Sequence, residues 1–424
     1  MIKLKLCFIL LAFIVLNGVK VFAQDEENDD YLKIGGAVRF NWISTFYESD
    51  HDAASNTATW DTWRLNIDAR TAGVDLSFEY RFYPTFGTHF IHHGYVGYGF
   101  NDNVYMKLGA FQKPFGITKY ASHSWWFQLP YYVGLEDDYD MGLGFDLNLS
   151  ESLSLNVAYY RQQEPEGPIF GGDVTFGGSG PGRYSYDITP GTGAFVDDAG
   201  NVNQVSATLR ELNTFNGQLL YDVAEGVELG ASVQVGGIYN GTVEEAEVST
   251  AFAGHVNANF GNFNFKGEFI NYSYPAKSDG GEDLDIVQMG AYGFNYPVAS
   301  KANMYVAGLA YSIPVEIGPV SNIQAYVDYT FMDKSLEELS DVHHLIPGFL
   351  ISAGSIYTYV DFALGKNQPW LTDNFGVGLG EGRLYSGDEN SPYYTTEPDE
   401  VGTPVPTSDL DWNMRFNINM GYYF

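Results

Sequence analysis

The sequence predicts an all-β protein: a transmembrane antiparallel β-barrel of about 16 strands with one loop folded inward to constrict the lumen. Three observations carry this expectation. Apolar and polar residues alternate in period two along most of the chain, short connections alternate with long ones, and after Ala23 no run of about 18 apolar residues could form a spanning helix. Without helices, only a closed barrel satisfies every backbone group inside a bilayer, because all its hydrogen bonds run between strands.

Composition narrows the class. The 424 residues include 53 acidic and 21 basic side chains, a formal net charge of −32, together with 32 Tyr, 30 Phe and 7 Trp. A disordered polyanion has few aromatics, and one cysteine cannot staple a disulfide scaffold. The scarcity of Lys and Arg argues against a nucleic-acid partner.

At the N-terminus, Lys3 and Lys5 precede the apolar run Leu6 to Leu16, and Val21-Phe22-Ala23 offers a cleavage site, so residues 1–23 read as a secretory signal peptide. Asn17, Gly18 and Lys20 interrupt the run and make it a poor anchor. Cys7 leaves with it. Residues 24–31 follow as an acidic segment, and 32–424 as the barrel with its long external loops.

From Trp63 to Arg70, the set Trp63, Leu65, Ile67, Ala69 alternates with Arg64, Asn66, Asp68, Arg70. A tight turn at Ala72-Gly73 leads into Val74, Leu76, Phe78, Tyr80 and Phe82, alternating with Asp75, Ser77, Glu79 and Arg81, which predicts a hairpin. The last segment, from Trp412 to Phe424, repeats the pattern. Further runs lie at 32–43, 90–100, 104–112, 141–148, 152–161, 212–222, 227–239, 250–260, 263–273, 285–295, 302–313, 321–332 and, as one long strand, 346–366. A soluble sandwich alternates too. The barrel is favoured by the signal peptide, by the terminal Phe424 and by aromatics near strand ends such as Trp42, Phe82, Tyr239 and Tyr422. Connection lengths agree until 314–320 and 333–345, where short and long fall out of step.

The segment KLGAFQKPFG, Lys107 to Gly116, ends a strand in Lys-Pro-Phe-Gly and enters a long aromatic loop. With GSIYTYVDFALGKNQPW from Gly354 to Trp370 and the strand ending in Phe424, it resembles the phosphate-selective porin O and P family over most of the chain. The resemblance implies a 16-stranded channel in the outer membrane of a Gram-negative bacterium, often a homotrimer, surrounded by outer-membrane lipid and without a cofactor. Phe424 would be the signal read by the barrel-insertion machinery. The family's anion selectivity depends on a dense basic lining, and here the sequence departs from it. Lumen-facing Arg39, Arg64, Arg70, Arg81, Lys107, Lys266 and Arg415 are answered by Asp68, Asp75, Glu79, Asp146, Glu228, Glu268, Asp328 and Asp361. Phosphate selectivity is therefore not carried over. With Asp388, Glu389, Asp399 and Glu400 at the mouth, weak cation preference or neutrality is expected.

Loop 113–140 is the leading site candidate. Lys113, Trp125, Trp126, Tyr131 and Tyr132 precede Glu136-Asp137-Asp138-Tyr139-Asp140, placing aromatic surface beside carboxylates. Folded inward, such a loop constricts a pore, stacking apolar sugar faces and accepting hydroxyls. Two other readings stay open: an external loop whose aromatics anchor it to the rim, and a Ca²⁺ site, although no Asp-x-Asp-x-Asp-Gly spacing is present.

Other motifs point nowhere strong. The Gly-rich stretch Gly171 to Gly182 lacks the Gly-Lys-Ser/Thr of a phosphate cradle. His92 and His93, near His89, should point to opposite faces of a strand, so joint metal ligation is not expected. His123 and Ser124 are adjacent and do not aim at one another, and no catalytic constellation is visible. The sequence thus favours a non-enzymatic porin for passive diffusion of small hydrophilic solutes or ions. The alternative is an adhesion or interaction platform acting through the long acidic loops 162–211 and 367–410.

Overall fold

The computed structural model describes residues 30–46, 56–170, 180–198, 202–336, 339–368, 370–371 and 412–424. The signal peptide, most of the acidic segment, most of the Gly-rich stretch and residues 372–411 of the last loop lie outside the described residues. Among the described residues no helix is long and apolar enough to cross a membrane.

In chain order the strands are β1 Tyr31–Thr45, β2 Asn56–Thr71, β3 Val74–Tyr83, β4 Thr88–Asn101, β5 Val104–Gln112, β6 Tyr139–Ser150 and β7 Leu153–Gln163. Three short strands follow, β8 Asp187–Ile188, β9 Gly191–Val196 and β10 Val202–Ala207, and then β11 Leu209–Ala224, β12 Val227–Asn240, β13 Glu245–Phe260 and β14 Phe263–Ser273. The rest are β15 Ile286–Ala291, β16 Phe294–Ala299, β17 Lys301–Ile317, β18 Val320–Lys334, β19 Val342–Ala353, β20 Ile356–Lys366 and β21 Asn413–Tyr423. Sixteen of these close into one antiparallel barrel, in the order β1 to β7, β11 to β14, β17 to β21.

The seam between β21 and β1 is tight. Phe424 accepts a backbone hydrogen bond from Gly36 at 2.9 Å and returns one at 3.1 Å. A side chain on Gly36 would stand 2.3 Å from the Arg64 carbonyl, so only glycine lets β1 sit between its neighbours there.

At the end of the barrel where β1 starts and β21 finishes, the connections at 72–73, 102–103, 151–152, 225–226, 261–262, 318–319 and 354–355 are each two residues long. Ala72 and Gly73 both have positive φ, 51° and 76°, as a type I′ turn requires. The opposite end carries the long loops. The outer wall is apolar all round: Leu229, Val233, Phe265, Phe269, Tyr305 and Leu309 are exposed, whereas Gln234, Glu268 and Asp328 on the same or adjoining strands are buried inside. Such a band suits lipid and not water.

Two expected strands are corrected. The run 285–295 is not a barrel strand: β15 and β16 form a hairpin inside the loop end and pair into a second sheet in the order β10-β9-β15-β16, with β8 on β15. All six residues of β15 are buried, whereas a barrel strand such as β17 alternates exposed and buried. The run 346–366 is two strands, β19 and β20, reversed at Gly354, whose φ is 60°. With both changes the alternation of short turns and longer loops holds around the whole barrel.

The histidines also depart from the expected alternation. Between β3 and β4 the register slips: Glu79 pairs with His93 and Tyr80 with Ile91. His92 is the extra residue of a β-bulge, so strict alternation fails there and both imidazoles turn inward.

The inner sheet and the loops that carry it pack a tyrosine-rich core into the mouth. Tyr83, Phe90, Tyr131, Tyr184, Tyr292 and Phe294 belong to it, all buried. The Tyr131 and Tyr292 hydroxyls share a hydrogen bond of 2.7 Å. Burial of rings on this scale, with their hydroxyls partnered, fixes the loops as an ordered assembly. The described parts of 164–208 are therefore folded into the barrel mouth.

Candidate functional site: a loop across the lumen

The connection from β5 to β6 leaves the wall at Lys113-Pro114-Phe115-Gly116 and crosses the barrel. Gly116 has φ 61°, and a side chain there would lie 2.2 Å from Glu268 Oε1. This glycine lets the loop turn flush against the far wall. Its N–H donates to Ser232 Oγ at 3.1 Å, and its carbonyl accepts from Gln218 Nε2 at 2.8 Å. Ile117 N–H donates to Glu268 Oε1 at 3.1 Å.

The contacts continue along the opposite wall. Lys266 Nζ donates to the carbonyls of Tyr120 and Ser122 at 2.7 and 2.9 Å. Asp328, fully buried, takes the N–H groups of His123 and Ser124 at 2.7 and 2.9 Å and faces His123 Nδ1 at 2.7 Å. Asp361 accepts from the Tyr326 hydroxyl. The Arg415 guanidinium stacks on Trp126 at 4.6 Å, and Trp125 meets Trp126 edge-on at 5.7 Å. A single helical turn, Leu129–Tyr132, then brings the chain back under the tyrosine core.

The returning limb holds the carboxylates. Lys113 Nζ lies 2.6 Å from Asp138 and 2.7 Å from Asp140, with Glu211 and Asp187 at 3.8 and 3.9 Å. Burial works against this ammonium, but the four carboxylates outweigh it and push its pKa up, so it stays charged. Asp138, Asp140 and Asp187 lie close enough together for a metal, yet the Lys113 ammonium already occupies their focus. Asp137 accepts from Tyr139 at 2.9 Å, from Gln112 at 3.3 Å and from Tyr184. Burial pushes its carboxyl up to about 6, against those hydrogen bonds and the Arg81 charge. Glu136 is also pushed well up by burial, with Glu268 adding to the effect, and accepts from Ala121 N–H at 2.9 Å.

The structure thus brings Lys113, Trp125, Trp126, Tyr131, Asp137, Asp138 and Asp140 together with Lys266, Asp328, Asp361 and Arg415. Most of this set forms the packed body of the loop. Trp126, Tyr131, Asp137, Asp138 and Asp140 are each no more than 5% exposed, so stacking of a passing sugar on these rings is not what the geometry offers.

The remaining sequence candidates sit on the wall. Arg39 pairs with Asp61 at 2.8 Å, Arg81 with Glu79, and Arg64 stands 3.7 Å from Glu79 and over the Tyr423 ring. Arg70 pairs with Asp75 and Lys107 with Asp146, each at 2.6 Å, nearer the turn end. Below the loop a cavity of about 250 Å³ is lined by Lys107, Gln112, Thr118, Asp146, Asn156 and Gln218 among others.

Sequence reading missed the tip, Thr118-Lys119-Tyr120, which is the exposed part of the loop between buried flanks. Tyr120 is within electrostatic reach of Arg81 and Arg64 on the near wall. Nothing in the local sequence marks these three residues, because their exposure follows from where Gly116 and Lys266 place the chain.

A closed 16-stranded barrel with an apolar exterior, two-residue turns at one end and a loop bonded across the lumen has the architecture of the outer-membrane porins. Solved structures agree at the level of fold. The outer-membrane channel DcaP of Acinetobacter baumannii superposes with a TM-score of 0.54 at 12% identity, over 95% of this chain and 99% of that one. An anion-selective porin from Comamonas acidovorans gives 0.52 at 11%, over 93% and 100%. The in-vitro folded trimer form of OmpT of Vibrio cholerae gives 0.53 at 11%, over 93% and 99%. No family model and no curated protein matches the chain.

Proposed function

We propose that the protein is a passive porin of the Gram-negative outer membrane, carrying small hydrophilic solutes or ions through a lumen narrowed by the β5–β6 loop. The observation that carries this reading is the loop's hydrogen bonding to Gln218, Ser232, Lys266, Glu268 and Asp328 on the far wall, which leaves Thr118 to Tyr120 as its exposed tip. A loop held so firmly sets a size limit without closing the polar space beneath it.

The charges at this level favour a revised selectivity. The acidic limb is buried against Lys113, whereas Lys119 on the tip is exposed and Arg64 on the wall stays partly open to water; Arg39 is neutralised by Asp61 at 2.8 Å. Near neutrality or a mild anion preference follows. The Lys-Pro-Phe-Gly turn supports kinship with the phosphate-selective O and P porins. A homotrimer is proposed by analogy with the trimer form of OmpT, and residues 1–23 would direct export and then be removed.

The test is a planar bilayer. Purified protein should insert as stepwise, ohmic channels that exclude solutes above a size cut-off in liposome swelling. Folded, heat-modifiable protein that gives no conductance would sink this reading.

A further inference from the structure

The bulge at His92 creates a site. The Nδ1 atoms of His92 and His93 lie 2.9 Å apart. His92, 2% exposed, is clamped between the rings of Tyr139 and Tyr184 at 4.2 and 4.1 Å, and its Nε2 is buried without a hydrogen-bond partner. His93 stacks on Tyr139, stays partly open, and sets its Nε2 3.3 Å from Ser77 Oγ. Glu79 Oε1 is 3.8 Å from His92 Nδ1.

We propose that His92 and His93 together bind a transition-metal cation in the lumen wall, reached from the water of the channel; that access rests on the porin reading above. Two imidazole nitrogens bonded at right angles to one metal, each at about 2.0–2.1 Å, stand about 3 Å apart, which is the spacing observed. Without metal, one Nδ1–H donates to the other Nδ1. On binding, both Nδ1 lone pairs go to the cation and the shared proton moves to the Nε2 of the same ring, so no net proton is released. Waters complete the coordination. Ser77 stays on the far side of the His93 ring, orienting it as outer partners of metal-bound histidines do.

The surroundings select the cation. Glu79 is engaged by Arg81 and stands 3.7 Å from Arg64, so its charge is not free to attract a hard ion. Ca²⁺ and Mg²⁺ need several oxygen ligands that are not gathered here. Metals with strong imidazole bonds remain, with Cu²⁺ ahead of Ni²⁺ and Zn²⁺.

The test uses full-length, folded protein in detergent and Cu²⁺ as its chloride. Titration calorimetry should give one tight site, and electron paramagnetic resonance should show two nitrogen ligands. His92→Ala and His93→Ala, each still heat-modifiable, should weaken binding by at least about tenfold, the range even an outer-sphere partner contributes. His89→Ala should not. Absence of binding in the unaltered protein, or binding that survives both substitutions, overturns the site. In bilayers, Cu²⁺ should lower the conductance of the unaltered channel and not of His93→Ala. Binding without that effect upholds the metal site and overturns its access from the lumen, while binding with no channel activity at all fails the porin reading alone.

Discussion

Lys266 reaches from β14 to the carbonyl of Tyr120 at 2.7 Å, tying the exposed tip of the constriction loop to the wall opposite its origin. The same ammonium holds Ser122 at 2.9 Å, so one side chain fixes both ends of the tip's descent. Replacing it by Met keeps the apolar stem and removes the charged hydrogen bonds, each of which contributes about 1.5–3 kcal/mol. Lys266→Met should therefore fold normally and give noisier channels of higher mean conductance. Unaltered single-channel records would show that the tip is held by other contacts.

Charge selectivity tests which residues face the path. Asp137→Asn, Asp138→Asn and Asp140→Asn together should leave the reversal potential in a KCl gradient almost unchanged, since all three carboxylates are buried and Lys113 keeps Asp187 and Glu211 near it. Gln at Arg64 and Lys119 should shift it toward cations, more at low salt than at high. A large shift from the acidic triple variant alone would mean that the limb is exposed to the permeating ions.

Closure of the barrel depends on Phe424, whose backbone exchanges two hydrogen bonds with Gly36. Deleting this residue removes the end of the β21 to β1 ladder and the terminal aromatic on the outer surface. Heat-modifiable barrel in the outer membrane should fall several-fold. Undiminished levels would show that assembly reads neither feature.

The barrel was legible because lipid on one side and water on the other impose period two, as in Trp63 to Arg70. Where that condition lapses, so does the reading. Val287 and Met289 lie in a strand buried on both faces, and the sequence pattern cannot distinguish such a strand from one in the wall. The expected strand number still agrees with the barrel, because an unmarked turn at Gly354 removes one strand while the inner hairpin adds one. A signal for that turn did exist. Ala353 pairs with Ile356, so the outward parity shifts from Phe349 and Ile351 to Ile356 and Phe362. Of the site, the loop's inward course was anticipated, but its buried limb and exposed tip were not. They depend on Gly116 fitting against Glu268, a contact between residues 152 positions apart that no local pattern contains.

Acidity should govern how tightly the loop is held. Asp137 in the closed loop has its carboxyl pushed up to about 6 by burial, and in an opened loop it returns to the ordinary value near 3.9. Between these values the closed loop binds more protons than the open one. Closure is therefore favoured fully below about pH 4, weakens as pH rises to about 6, and is constant above, the whole change being at most about 3 kcal/mol for this group. Burial moves Glu136 in the same direction. Hydrogen exchange over residues 113–138, corrected for intrinsic rates, should show stronger protection at pH 4.5 than at pH 7 in the unaltered protein. In Asp137→Asn, which carries no charge to ionise, that difference should shrink. Protection that rises with pH in the unaltered protein would reverse the sign and rule out a buried, protonated Asp137 as part of the latch.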